Sequence, residues 1–340
     1  MATVVVAGLS AAIGSAAAGL TIFGLAATSL AGFAAAFALG AGLSLVSRAL
    51  MPKPDLGAQM GGQSVMTREA AHSRKIIYGR ARIGGNVVYL ESTGDDNKYL
   101  WLVTAIAGHE IDAYEEVWFN DEKIWDGGNF TSAWATTGNS STSPYVDLSF
   151  HLGNQTTVDS GLDDASTKWT SNHILLDTAY MVVKLTYDQE QFAQGLPNIS
   201  TVIRGKKVYD AQKDSTSAYY KSSLGVSTQR ASDASTWQWS QNPALCVRDY
   251  LTDTKYGLAE SASNILTSSI DTATDVCNQA VDLAAGGTQP RYTMDGVVDT
   301  GNSIKANIEN MVGSMIGRLV YSGGKFEICL LYTSPSPRDS

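Results

Sequence analysis

The first 47 residues carry no charged side chain, and this feature most constrains what the chain can fold into. A transmembrane helix needs about 20 consecutive apolar residues, so Met1–Ser47 is long enough for two such helices. Small residues recur at four-residue spacing in two places: Gly8, Ala12 and Ala16, and Gly32, Ala36 and Gly40. That spacing lines one helix face with small side chains and lets two backbones approach closely. We therefore predict an apolar Ala/Gly-rich helical hairpin over residues 1–50.

Two environments for this apolar segment stay open from the residues alone. It could enter a membrane, in which case Arg48 and Lys53 would anchor its end at the water interface. It could also be buried between subunits of an assembly and never meet lipid. A secretory signal peptide fits less well, because the segment has no positively charged start and is about twice the usual length.

The rest of the chain has the composition of an acidic soluble protein. Lys and Arg number 24 against 33 Asp and Glu, which gives a formal net charge of −9. A nucleic-acid-binding protein needs a basic face to neutralise phosphates, so we expect no specific nucleic-acid binding. Three cysteines in 340 residues exclude a small disulfide-rich scaffold.

A polar, glycine-containing linker is predicted over residues 51–73, and short strand-like segments follow it at regular spacing. The clearest are Lys75–Tyr78, Asn86–Glu91, Tyr99–Ala107, Ala113–Phe119, Ala179–Tyr187 and Ile199–Arg204. This pattern predicts an antiparallel meander or small barrel, which we assign to a β-rich domain over residues 74–210. Residues 127–171 are rich in Ser, Thr, Asn and Gly and predict an exposed polar insertion in that domain.

Helices are predicted in the second domain, residues 211–328. Asn242 and Pro243 form a helix start for a segment that runs through Leu251. A second helix is predicted over Asp271–Leu283, and Ser303 caps a third. The third helix has an apolar stripe made of Ile304, Ile308, Met311, Val312 and Met315. The predicted fold class is α+β, mainly antiparallel β.

The C-terminal residues do not continue this pattern. Arg318–Ile328 predicts a β-hairpin that stops inside its second strand. Cys329–Asp339 looks like the conceptual translation of a sequencing-library transposase adapter. We therefore exclude residues 329–340 from the fold prediction as an adapter-derived artefact, and we expect the genuine sequence to be an N-terminal fragment of a longer protein.

The sequence predicts no catalytic, cofactor-binding or metal-binding residue, and hence no enzyme. It has no G-x-S-x-G, H-E-x-x-H, Walker or paired C-x-x-C motif. His109, with Glu110 and Asp112, predicts a turn cap rather than a base or a ligand. The adjacent acidic pairs Asp95–Asp96, Glu115–Glu116 and Asp163–Asp164 do not predict carboxylate dyads, because neighbouring side chains in a strand point to opposite faces.

Two tryptophans in a polar segment leave a binding role open. Trp237 and Trp239 are two residues apart, so an extended backbone would place both on one face. Glycan stacking is one interpretation. Packing into the core or against a neighbouring subunit is the other.

Several segments together resemble the central tail hub proteins of lambda-like long-tailed bacteriophages, also called tip attachment or host-specificity proteins. In family order they are Arg74–Arg80, Tyr99–Phe119, Trp118–Glu122, Gly195–Ile199, Arg204–Asp210, Trp239–Leu245, Asp249–Leu251, Tyr256–Gly257 and Arg291–Gly296, followed by the third helix and the Gly317–Ile328 hairpin. The resemblance spans most of residues 74–328.

This resemblance implies a structural function. Family members form a homotrimeric hub of tail-tube-like β domains with inserted helices, which closes the tail tube at its distal end and takes part in host attachment and genome delivery. The implied partners are other tail-tip, tail-tube and tape-measure proteins of the virion. Residues 1–47 would plug the hub lumen or contact the host envelope. The resemblance implies no catalytic residue and no cofactor.

Two other functions remain as alternatives. One is a membrane-anchored cell-surface protein whose β-rich ectodomain binds glycans or a partner. The other is a secreted hydrolase, for which the sequence shows no nucleophile or acid/base pair. Trimerisation would favour the hub, polysaccharide binding by a monomer would favour the surface protein, and turnover of cell-wall substrate would favour the hydrolase.

Overall fold

The computed structural model of the protein describes residues 65–70 and 72–330. Within them the strands are β1 (Lys75–Tyr78), β2 (Arg80–Ile83), β3 (Asn86–Thr93), β4 (Tyr99–Ala107), β5 (Ala113–Phe119), β6 (Glu122–Trp125), β7 (Val146–His151), β8 (Ala179–Thr186), β9 (Ile199–Arg204), β10 (Lys207–Val208), β11 (Gln238–Trp239), β12 (Ala280–Asp282), β13 (Thr288–Pro290), β14 (Gly296–Asp299), β15 (Gly317–Ser322) and β16 (Lys325–Leu330). The α-helices are α1 (Ser160–Ala165), α2 (Pro243–Thr252), α3 (Thr267–Asn278) and α4 (Ile304–Gly313).

The predicted helical hairpin at residues 1–50 and most of the predicted linker lie outside the described residues. Among the residues that are described, no helix has the length and apolar character needed to cross a membrane. Strand β16 extends to Leu330, two residues past the predicted end of the hairpin. Residues 331–340 lie outside the described part of the chain.

Two four-stranded sheets form the larger part of the described structure, with strand orders β2-β9-β5-β6 and β3-β4-β8-β7. Every ladder between the named strands is antiparallel. The prediction of an α+β fold dominated by antiparallel sheet is therefore confirmed.

The two sheets enclose a common hydrophobic core, which we call the β core. Strand β5 shows how the sequence produces it: Tyr114, Val117 and Phe119 are buried, while Glu115 and Glu116 are half-exposed. The spacing departs from strict alternation because the pairing with β9 shifts between Tyr114 and Glu116. Such a bulge inserts one extra residue and re-aims the side chains that follow it.

The prediction that residues 127–171 form an exposed insertion is wrong for its large apolar side chains. Phe130 and Trp134 are buried in the β core. Leu162 and Trp169 pack on the opposite face of the sheet that contains β4 and β8, where they cover Val103. Burying a large apolar side chain stabilises the fold by about 1.5–3 kcal/mol, which outweighs the polar average of the segment.

Helices α2, α3 and α4 pack together with the β15–β16 hairpin around a second core, which we call the helical core. The predicted caps are present: the Asn242 side chain accepts a hydrogen bond from the backbone of Ala244, and Ser303 accepts one from Ala306. Four residues of the predicted α4 stripe are buried, but Ile304 in the first turn is 38% exposed.

The second predicted helix is five residues shorter at its C-terminal end than Asp271–Leu283. Helix α3 ends at Asn278, and Ala280–Asp282 is instead strand β12, paired with β13. The carbonyls of Cys277 and Gln279 accept hydrogen bonds from the backbones of Tyr292 and Arg291. These hydrogen bonds, which come from the segment after β13, hold the backbone out of the helix. They outweigh the helix propensity of the alanines, which is about a few tenths of a kcal/mol per residue.

Candidate functional site at the junction of the two cores

Strand β1 contributes to both cores. Ile77 lies in the β core, while Ile76 and Tyr78 lie in the helical core. This division follows from the two-residue period of a strand, which points successive side chains to opposite sides. Because β1 pairs with β14, a strand between α3 and α4, its backbone also joins the two parts of the chain.

A buried group of polar side chains lies beside β1, and we call Tyr78, Lys206, Asp249 and Asp253 the junction cluster. The Tyr78 hydroxyl donates to Asp249 Oδ2 at 2.6 Å. Lys206 Nζ donates to Asp249 Oδ2 at 2.7 Å and to Asp253 Oδ2 at 2.6 Å. Lys206 precedes β10, and the two aspartates belong to α2 and its C-cap, so the cluster fastens α2 to the β strands.

The electrostatics of the junction cluster favour its charged form. Burial alone would lower the pKa of Lys206, but the charges of Asp249 and Asp253 outweigh burial and raise that pKa above its ordinary value. Burial alone would raise the pKa of Asp253, yet the charge and hydrogen bond of Lys206 hold it below its ordinary value. Burial, followed by the Asp249 charge, raises the pKa of Tyr78 far above its usual range, so its hydroxyl stays a donor.

Close backbone packing surrounds the junction cluster. The Gly205 N–H donates to the carbonyl of Gly79 at 2.7 Å, and the Lys206 N–H donates to the carbonyl of Ile77 at 2.7 Å. A Cβ atom on Gly205 would lie 2.1 Å from the Ile77 carbonyl oxygen, so this position requires glycine. The indole N–H of Trp239 donates to the Gly79 carbonyl at 3.0 Å.

His109 is a structural residue of the junction. Its Nε2 accepts from the Ile77 N–H at 2.9 Å, and its Nδ1 lies 2.7 Å from the Glu110 carbonyl, to which it donates. These two contacts require the neutral ring with its proton on Nδ1. Burial lowers the pKa of His109 to about 4, which agrees with a neutral ring. The ring thus links the turn after β4 to β1.

The junction cluster is a connected hydrogen-bond network. Each of its four side chains bonds to at least one other member. Within the described ranges, no group of three or more His, Cys, Asp or Glu side chains is placed to hold a metal ion. What this arrangement can do is hold the two cores in a fixed relation.

A second polar cluster brings together a serine, a histidine and an aspartate that the sequence analysis did not identify. Ser149 Oγ donates to Asp159 Oδ2 at 2.5 Å, and His151 Nε2 lies 2.8 Å from the same oxygen. A catalytic triad needs the acid and the serine on different ring nitrogens. Here the serine lies 3.4 Å from the nitrogen that already contacts the aspartate. The spacing Ser149-x-His151 on one strand face was the signal available in the sequence.

This cluster anchors α1 to strand β7. Asp159 caps α1 by accepting a hydrogen bond from Leu162 N at 2.9 Å. Burial alone would raise the pKa of Asp159, but hydrogen bonds from His151 and Ser149 hold it below its ordinary value. The His151 ring stacks on Tyr180, the residue paired with it across the strands, at 4.1 Å between ring centroids.

The other residues considered in the sequence analysis have local structural roles. Asp95 and Asp96 lie in an exposed turn before β4. Glu115 and Glu116 both contact Arg80, so the expectation that their side chains point to opposite faces is wrong for this pair. The bulge between Tyr114 and Glu116 breaks the alternation there. Trp237 donates its indole N–H to the carbonyl of Arg230 at 2.9 Å and faces the ring of Tyr209.

The segments that carry the family resemblance converge on the junction. Arg74–Arg80 contains β1, Ala107–Ile111 contributes His109, Arg204–Asp210 contributes Lys206, and Asp249–Leu251 contributes Asp249. Residues 78 and 249 are 171 positions apart, so no local pattern could have placed them together. The family resemblance identified the segments that contain these residues, but it did not show that their side chains are in contact.

Comparison with curated proteins gives a sequence relative among phage proteins. The chain is similar to the tip attachment protein J of Escherichia phage SECphi27, with 28% identity over 161 residues. The match covers 46% of this chain and 13% of the relative, so the chain corresponds to a small part of that protein. The resemblance to phage tip attachment proteins is thereby confirmed. No family model matches the chain.

Among solved structures, a chain of the virion of a native gene transfer agent particle matches with a TM-score of 0.47 and 14% sequence identity. The match covers 88% of this chain and 64% of that chain.

Proposed function

We propose that this protein is a structural component of a phage tail tip, where it forms the central hub that closes the tail tube and takes part in host attachment and genome delivery. The observation that carries the proposal is the sequence similarity to tip attachment protein J of a phage. The relative is much longer than the matched stretch, so receptor recognition is not assigned to the residues described here.

The packing of the described residues supports a structural, non-enzymatic role. Two antiparallel sheets and a helical body are fastened through one shared strand and the junction cluster. Separating the sheets from the helical part would break the ion pair of Lys206 with Asp249, whose side chain is 4% exposed. Leaving a buried charge without its partner costs about 3–5 kcal/mol, which resists shear between the two parts.

The proposal includes a homotrimer bound to other tail-tip, tail-tube and tape-measure proteins at the distal end of the tail. It assigns residues 1–47 to the hub lumen or to the host envelope during genome release. In the first case the segment stays inside the assembly, and in the second it meets lipid.

Immunoelectron microscopy of the phage particles tests the location. Antibodies against the described residues are expected to label the distal end of the tail, and purified protein is expected to sediment as a trimer. Label on the envelope of uninfected cells, together with a monomer that binds polysaccharide, would favour the cell-surface alternative and overturn the proposal.

A liposome assay separates the two roles of the apolar segment. The full chain is expected to release dye from vesicles if residues 1–47 enter membranes, and a variant with Ala16→Glu and Ala36→Glu is expected to lose that release. No release by either protein, in a trimer that still assembles, would assign the segment to the hub lumen.

A further inference from the structure

A two-stranded hairpin projects from the helical part of the molecule. We call residues 279–290 the arm; it contains β12 and β13. From Asn278 to Pro290 every residue is exposed except Val281, which is half-buried. The arm is closed by its own backbone, with Leu283 N–H donating to the Gly287 carbonyl at 2.9 Å. An isolated two-stranded hairpin is marginally stable in water, so a hairpin without packing calls for a partner.

The surface of the arm favours an apolar partner with a positive charge nearby. Its tip is Leu283-Ala284-Ala285, and the Leu283 side chain is 41% exposed. Asp282 is the arm's one charged residue, and it forms no ion pair within the described part of the chain. Strand β12 pairs only with β13 among the described strands, so its outer backbone edge is open.

A complementary surface lies along β15 of the same chain. Among the described strands β15 pairs only with β16, so its outer edge is open as well. Ile316, directly before the strand, is 57% exposed, and Tyr321 near its end is 63% exposed. Arg318 on β15 and Lys325 on β16 are exposed and positively charged. Open backbone edges of this kind accept an added strand from another chain.

We propose that the arm of one copy adds β12 to the open edge of β15 in a second copy of this chain. Leu283 then packs beside Tyr321 on one face of the added strand, and Asp282 faces Arg318 on the other face. The arm and the β15 edge are different surfaces of the chain, so each copy donates one and receives one. Repeated contacts of this heterologous kind form a ring when the rotation between copies closes, so the inference rests on the homotrimer of the proposed function.

A charge exchange in the full chain tests the contact. Asp282→Lys and Arg318→Asp are each expected to weaken self-association about fivefold, the scale of a surface ion pair of roughly 1 kcal/mol. The double variant, which restores opposite charges, is expected to recover the wild-type association constant in sedimentation velocity. A double variant as weak as the sum of the two single variants overturns the pairing of these residues.

Apolar substitutions give an independent measurement. Leu283→Asp and Tyr321→Asp are expected to weaken association more than tenfold without changing the far-ultraviolet circular dichroism, because both side chains are exposed. Leu176→Asp is the matched control, since Leu176 is also 63% exposed but lies in the loop before β8. It is expected to leave association unchanged.

The outcomes distinguish this inference from the proposed function. A wild-type trimer that none of these variants weakens overturns the arm contact and leaves the tail-tip role standing. A wild-type monomer that labels no tail overturns both.

Discussion

Lys206 faces two carboxylates at the junction of the two cores, and its side chain is 18% exposed. Replacing it with methionine keeps most of the side-chain volume but leaves Asp249 buried without its cation. Removing one partner of a buried ion pair typically costs about 3–5 kcal/mol. We therefore expect Lys206→Met to lower the free energy of unfolding by about that amount, measured by urea denaturation.

The matched control is Lys305→Met on α4. Lys305 forms an ion pair with Glu309 at 3.7 Å, but the two side chains are 85% and 65% exposed. Exposed pairs one helical turn apart contribute about 0.2–0.5 kcal/mol, so this variant should be nearly as stable as the wild type. Equal losses for the two lysine variants would contradict the role assigned to burial in the junction cluster.

Acid stability depends on His109. Its pKa is lowered by burial to about 4, whereas the unfolded value is about 6.5. Between these pH values the unfolded chain binds a proton that the folded chain does not. The contribution of His109 to the free energy of unfolding is therefore complete above about pH 6.5 and falls as the pH drops toward 4. The expected loss over this window is roughly 3 kcal/mol, at 1.36 kcal/mol per pKa unit.

Urea denaturation at several pH values checks this. His109→Gln cannot bind the proton and is expected to lose that part of the pH dependence, although its stability at neutral pH will be lower. His173→Gln, in an exposed turn, is expected to keep the wild-type slope. An unchanged slope in His109→Gln would show that other groups cause the acid sensitivity.

At the scale of elements, two glycines test how closely neighbouring segments of the chain approach each other. Ala at position 205 would place its Cβ 2.1 Å from the Ile77 carbonyl oxygen, a backbone atom that cannot rotate away. Forced overpacking of this kind costs about 1–3 kcal/mol or more, so Gly205→Ala should destabilise the fold and separate β10 from β1. A Cβ on Gly313, at the end of α4, meets nothing within 4 Å.

Gly313→Ala is therefore the control for Gly205→Ala. Alanine is favoured over glycine in a helix by up to about 1 kcal/mol, so this variant should match or exceed the wild-type melting temperature. If the Gly205→Ala and Gly313→Ala proteins had the same melting temperature, the close approach of β1 and the segment before β10 would be contradicted.

Local patterns predicted the elements that depend on local interactions. Strands β1, β4, β5 and β9 have the predicted bounds, because each is a short run rich in β-branched, aromatic or other apolar residues that ends at a glycine or asparagine turn. The start of α2 was also predictable, since Asn242 and Pro243 act on their own helix. The end of α3 was not, because the hydrogen bonds that stop the helix come from Arg291 and Tyr292 on the returning chain.

The candidate site was less accessible to sequence reasoning than the strands. Lys206 and Asp249 are 43 positions apart, and neither belongs to a motif with a chemical meaning of its own. An isolated lysine before a short strand indicates a solvated charge, and only the three-dimensional contacts show that it is buried. The division of the chain into two domains at residue 210 remains a prediction. Ile76, Tyr78 and Val208 precede that point and pack into the helical core, while Ile77 packs into the β core.

At the scale of the whole molecule, the shared strand couples the two cores. Ile77 is fully buried in the β core, while its neighbours Ile76 and Tyr78 fill the helical core. If β1 separated from one core, its apolar side chains in the other core would be exposed as well. A load on either part of the molecule is therefore resisted by both cores.

Coupling of this kind makes a test of cooperativity possible. Five of the seven tryptophans lie between residues 101 and 169, so their fluorescence reports the β part, while circular dichroism at 222 nm reports mainly helices α2 to α4. We expect the two signals to change at the same urea concentration. Ile77→Ala should lower both midpoints together, because truncating a buried isoleucine costs about 2–5 kcal/mol. If the fluorescence midpoint moved while the circular dichroism midpoint stayed, the two cores would be independent and β1 would not be the element that joins them.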